Sequence, residues 1–262
     1  MAQLIKVNQC VSRYQLNLRC YANRYNWLKK RRMEAWREKW LDKHTIQNSV
    51  SGVDKYSNHW KIGFDDWLFD KQVLWSTRTA FERSARPDDI LTEQWLRRML
   101  KGINDVSFFM YRPVLLTKSG PVQLDSLLIT NDRICCVHPL LGETGDVFQP
   151  YSQRMWNQIT NGAAVRPLVN PMISLRRTKA VVAAFLKGKG LTSMQVATVV
   201  YAPDCYIEDT VNDYETDFVD QRNESEWFQR MDQHSLLMKR EQLEAAEALL
   251  KMSETLCDSR KD

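Results

Sequence analysis

The chain has 262 residues, 44% of them hydrophobic, and 37 Lys/Arg against 32 Asp/Glu give it a net charge of +5. This predicts one sizeable domain with extensions. No secretory leader is expected, because only Leu4, Ile5 and Val7 are apolar near Met1, and the longest apolar run, residues 180–186, falls far short of the roughly 20 residues that span a bilayer.

The six cysteines (10, 20, 135, 136, 205, 257) form no C-x-x-C, which argues against a four-ligand zinc site and fits reduced thiols in the cytoplasm. Charge is unevenly spread: residues 1–44 carry eleven Lys/Arg against three acids, and residues 204–232 carry ten acids against two Arg. Either these stretches attract each other, or the basic one faces an acidic partner.

Residues 12–41 read as one long helix. Ser12 is the N-cap, neither Gly nor Pro interrupts it, and Tyr14, Leu18, Tyr21, Tyr25 and Leu28 recur at four-three spacing, continued by Trp36 and Trp40. Lys29, Lys30, Arg31 and Arg32 lie off that stripe. The plain reading is a docked helix with a solvated basic face. The sharper one is a phosphate-binding surface, since Lys/Arg interleaved with aromatics suits nucleic-acid backbones; an amphipathic membrane-surface helix is a third.

Residues 45–59 are a polar linker between a basic N-terminal helical extension (1–44) and a main domain (60–232), and residues 233–262 supply a C-terminal helix. Within the main domain, residues 60–83 read as largely helical. Arg86-Pro87-Asp88-Asp89 then breaks the chain and caps a helix over 89–101 that carries Glu93. Residues 106–116 form a first strand, bent at Pro113.

Residues 121–148 are the centre of the chain. Two branched apolar runs flank Asn131-Asp132, a tight-hairpin signal because both residues tolerate positive φ. A two-residue loop sets Ile129 opposite Ile134, Leu127 opposite Cys136 and Asp125 opposite His138. Opposed residues share a sheet face with Cβ atoms about 5 Å apart, so a carboxylate and an imidazole meet at the hairpin's open end.

Glu143 follows in the loop 142–146, and residues 151–159 read as a short helix or turn. A helix over 170–187 carries the second basic cluster, including Arg176 and Arg177, and ends at Gly188 and Gly190. Residues 188–193 lack phosphate-loop spacing. A strand over 196–201 follows, the acidic stretch after it lacks EF-hand spacing, and a helix over 235–257 carries Leu236, Leu243, Ala246 and Leu250 on one stripe, for packing or for pairing two chains.

Gln123-Leu124-Asp125 before the hairpin, Asn170-Pro171 opening a helix, and the apolar strand after it resemble the core of the NERD (nuclease-related domain) family of the PD-(D/E)XK nuclease-like superfamily, over about residues 88–202. The resemblance implies an α/β (α+β) fold, a nuclease-like central mixed sheet with flanking helices. It also places Gln123, Asp125 and His138 at the catalytic positions, and matches Glu93 to an acidic residue on the helix before the sheet. His138 stands where the family has its metal-binding Glu, and Leu140 where it has its Lys. Imidazole suits Mg²⁺ poorly, and Leu cannot stabilise a nucleophilic water.

Three functions follow. The first is a nuclease-related protein that binds DNA or RNA through Lys29, Lys30, Arg31, Arg32, Arg176 and Arg177 with weakened or lost endonuclease activity. The second is an active endonuclease whose divalent metal, Mg or Mn, is held by Asp125, Glu93, His138 and Glu143. The third is a structural or adaptor protein in which Asp125 and His138 simply seal the sheet end.

Overall fold

The computed structural model describes residues 1–45, 59–160, 162–208, 215–232 and 237–259, so most of the expected linker lies outside the described residues. Its first element corrects the N-terminal reading. Gln3–Val7 (β1) is a strand buried along its whole length, ahead of any helix. A register shift between Leu4 and Lys6 lets Leu4 and Val7 face the same side although they are an odd number apart, while Ile5 faces the other.

Ser12 caps Arg13–Leu16 (α1) in a reciprocal capping box with Gln15. The helix expected over 12–41 then breaks at Asn17, which is extended and whose side chain accepts the Cys20 N–H at 2.9 Å to start Leu18–Thr45 (α2). An Asn that captures a nearby backbone amide interrupts a helix without Gly or Pro. The aromatic stripe docks as expected, with Tyr14, Leu18 and Tyr25 buried.

His59–Trp75 (α3) packs on α2, with Trp36 against Phe64 and Trp67 at ring distances of 6.1 and 6.4 Å. A Cβ at Gly63 would lie 3.2 Å from the Trp36 ring, so glycine permits this approach. The helix stops at Trp75, short of the expected residue 83, and Glu82–Arg83 (β2) follows. Gln94–Gly102 (α4) begins at its N-cap Glu93.

The first predicted strand is two, Phe108–Tyr111 (β3) and Val114–Thr117 (β4), divided where Arg112 takes φ 43° ahead of Pro113. β4 pairs with Gly120–Gln123 (β5) and bridges Ser253 through Leu115, whereas Ser126–Ile129 (β6) and Arg133–Pro139 (β7) form the expected hairpin.

Val147–Pro150 (β8), Met155–Thr160 (β9) and Ala164–Val169 (β10) form an antiparallel meander, which overturns the helix or turn expected over 151–159. β9 is hydrogen-bonded on both edges and buries Trp156. Such cross-strand pairing overrides weak local propensity.

Pro171–Gly188 (α5) leads to Gln195–Ala202 (β11), then Tyr206–Ile207 (β12), which adds to the meander. The acidic stretch yields Thr216–Asp220 (β13) and Glu224–Asp232 (α6), and Arg240–Met252 (α7) and Asp258–Ser259 (β14) end the described chain.

The central sheet runs β1-β3-β6-β7-β11-β13 and is mixed: β6 is antiparallel to β3 and β7, and the other neighbours are parallel. Strand alternation sorts the core into two layers. Leu127, Ile129, Ile134, Cys136 and Val200 meet Leu175 and Val182 of α5 and Ala246 and Leu250 of α7. Leu128, Cys135, Val137, Val199 and Tyr201 meet Trp95 and Met99 of α4 and Trp227 of α6. The fold is thus α/β, a mixed sheet between helices. Within the α7 stripe Ala246 and Leu250 are buried in the chain's own core and Leu243 is half-buried against it, which fits the packing role; Leu236 lies outside the described residues.

Candidate functional site

The hairpin register sets Leu127 opposite Cys136 and Ile129 opposite Ile134, and its next step brings Asp125 to His138. His138 Nδ1 lies 2.8 Å from Asp125 Oδ1. The Asn131-Asp132 turn, however, is not built on positive φ. Among the described non-glycine residues only Asn8 and Arg112 have it, and Thr130 Oγ1 instead donates to Asp132 Oδ1 at 2.9 Å.

α5 supplies what sequence reading missed. Asn170 caps this helix by accepting the Met172 N–H at 2.9 Å, and Pro171 occupies its first turn. Ser174 and Thr178, one turn apart, then project toward the entrance of β6. Both hydroxyls donate to Asp125 Oδ2 at 2.8 Å, and Thr178 Oγ1 also accepts the Asp125 N–H at 3.0 Å. The sequence signal was the i, i+4 spacing of Ser174 and Thr178 beside the buried Leu175 and Val182.

Asp125 therefore has three side-chain donors, with its side chain 9% exposed and that of His138 30% exposed. Burial alone would raise the Asp125 carboxyl pKa. Hydrogen bonding and charge from His138, with the hydroxyls of Thr178 and Ser174, outweigh burial and hold it below the usual carboxylate range. An ionised carboxylate only accepts, so Nδ1 of His138 carries the proton in this contact.

The other expected site residues stand apart. Glu93 accepts a hydrogen bond from the Tyr111 hydroxyl at 3.1 Å, and Tyr111 belongs to the opposite core layer from Asp125's neighbours. Glu143 is exposed in its loop, where its backbone N–H donates to Asp146 Oδ2 at 2.9 Å. Gln123 is exposed on β5, and Leu140 is 4% exposed within the apolar core.

No group of three or more His, Cys, Asp and Glu among the described residues could hold a metal ion. The expected metal set of Asp125, Glu93, His138 and Glu143 is corrected accordingly: Glu93 caps α4, which packs on one face of the sheet, while Asp125 is held by α5 on the other, and the Asp125 oxygens are already engaged. These residues do not fit a divalent ion.

Lys29 is tied to Asp105 at 2.8 Å, while Lys30, Arg31 and Arg32 are exposed, with Arg31 5.1 Å from the Trp27 ring centre. Arg176 and Arg177 are exposed on α5, and Arg177 reaches the Gln123 carbonyl at 3.5 Å. Among the described residues no helix is long and apolar enough to cross a membrane. No protein-family model, curated protein or solved structure matches the chain.

Proposed function

We propose that this protein is a nuclease-fold, nucleic-acid-binding protein that holds DNA or RNA without hydrolysing it. The observation that carries the reading is the state of Asp125. Both carboxylate oxygens accept hydrogen bonds from within the chain, and the neighbouring position that would need a lysine is the buried Leu140.

The order α4, β6, β7, α5, β11 supports the NERD-like fold, because it repeats the helix, hairpin, Asn-Pro helix and strand on which the resemblance rests. The exposed Lys30, Arg31 and Arg32 with Trp27, and Arg176 with Arg177, support binding to a polyanion. A cytoplasmic setting, where thiols stay reduced, belongs to the same proposal.

The test incubates the protein with labelled DNA and RNA in Mg²⁺ or Mn²⁺ and resolves both retardation and cleavage on gels. Retarded, intact nucleic acid that is released as salt rises is the expected result. Absence of retardation at low salt removes the binding half. Cleavage that disappears in Asp125→Ala removes the other half.

A further inference from the structure

A cleft of about 520 Å³ opens between the end of α3 and the C-terminal segment, and Arg78, Arg83 and Arg86 line it with Asp258 as the acid among the lining residues. The backbone around it is fixed. Arg78 and Arg83 bridge as antiparallel partners, the Ser84 N–H donates to the Thr77 carbonyl at 3.0 Å, and β2 pairs with β14 so that Arg83 opposes Asp258. Ser84 Oγ ties this hairpin down by donating to the Leu256 carbonyl at 2.6 Å and accepting the Val11 N–H at 2.8 Å.

None of the three arginines makes an ion pair or side-chain hydrogen bond among the described residues, unlike Arg97, Arg98, Arg133 and Arg222, which all have carboxylate partners. Guanidinium groups gathered on a rigid frame without matching carboxylates make a local field that favours anions, and their planar forks suit phosphate.

An aromatic side chain marks the kind of anion. Phe81, at the tip of the hairpin and two residues from Arg83, is 80% exposed. A large ring kept in water beside arginines suits the stacking of an unpaired base.

We propose that the cleft is a binding track for single-stranded nucleic acid, with Arg78, Arg83 and Arg86 receiving phosphates and Phe81, at the hairpin tip beside them, stacking a base. The inference rests on the nucleic-acid reading and locates it on a surface that the resemblance to nucleases does not include. A duplex, whose base faces are covered, binds this track more weakly than a single strand does.

Fluorescence anisotropy with a labelled single-stranded oligonucleotide, its duplex form and inorganic phosphate as competitor tests the assignment. Arg83, Arg86 and Phe81 are exposed, so their variants are expected to fold, which thermal melting checks. For Arg83→Ser/Arg86→Ser, the slope of log affinity against log salt should become shallower by about 1.4, from roughly 0.7 per single-strand phosphate contact. Phe81→Ser should weaken single-strand binding about tenfold. On the wild-type protein, photocrosslinked peptides should contain Phe81.

Unchanged binding in these variants, with crosslinks on α5, overturns the track and leaves the nucleic-acid reading standing. Displacement of the oligonucleotide by inorganic phosphate at equal concentration overturns it in favour of a small-anion site. Failure of wild-type protein to bind any nucleic acid at low salt removes the track together with the reading beneath it.

Discussion

Two polar regions of this molecule handle charge in opposite ways. At the hairpin mouth a nearly buried carboxylate is answered by an imidazole and two hydroxyls, so little of its field reaches solvent. In the cleft beside β2, three guanidiniums are arranged without a side-chain partner among the described residues. A satisfied buried network stabilises and specifies a fold. An unanswered charge on a rigid frame adds little to folding and is available to a ligand. The contrast separates the closed network around Asp125 from the open arginine cleft for which binding is proposed.

The strongest way to break that contrast is Asp125→Ala, which leaves the buried Thr178 hydroxyl, the half-buried Ser174 hydroxyl and an imidazole without their acceptor. It should cost about 2–4 kcal/mol, read by urea denaturation. Thr178→Val follows at about 1–2 kcal/mol, since Thr178 is fully buried and bonds both the carboxylate and the backbone N–H of Asp125. In a double-mutant cycle its effect should overlap strongly with that of Asp125→Ala.

The pH dependence sharpens the comparison. The folded Asp125 pKa lies below its unfolded value, so its stabilisation is complete above the unfolded pKa of about 3.9 and is lost as pH falls through the lower folded value. Acid melts of Asp125→Asn should lack that component of the wild-type loss. His138→Ala should cost about 1 kcal/mol by thermal melting, because the ring is partly solvated and two donors to Asp125 remain. The smallest effect belongs to the cleft: Arg83→Ser/Arg86→Ser should change stability by no more than about 0.5 kcal/mol while reducing oligonucleotide binding.

Much of the central hairpin was legible in the chain. Two apolar runs and a two-residue loop between them fix the pairing of Leu127 with Cys136, and Asp125 meets His138 as a consequence. Asn170-Pro171 announces α5 for a local reason, a side-chain cap with proline in the first turn. Features that depend on distant partners were hidden.

β1 is a strand because β3 offers it a parallel edge, and the five residues Gln3–Val7 carry no turn signal that would reveal this. Residues 155–160 look unremarkable until β8 and β10 close on both sides. Ser174 and Thr178 read as ordinary helix polars because nothing in the sequence shows that their side of α5 covers a carboxylate. The arginine cleft joins residues near 80 to residue 258, a separation that periodicity cannot bridge.

The central claim is that Asp125 is a structural carboxylate. Denaturation of wild-type protein and Asp125→Ala, each with and without Mn²⁺, tests it most directly. The account predicts a less stable variant and no shift of either curve by Mn²⁺. A variant as stable as the wild type or more so, together with a Mn²⁺-dependent gain confined to the wild type, would contradict it, because that is how a carboxylate held ready for a metal behaves.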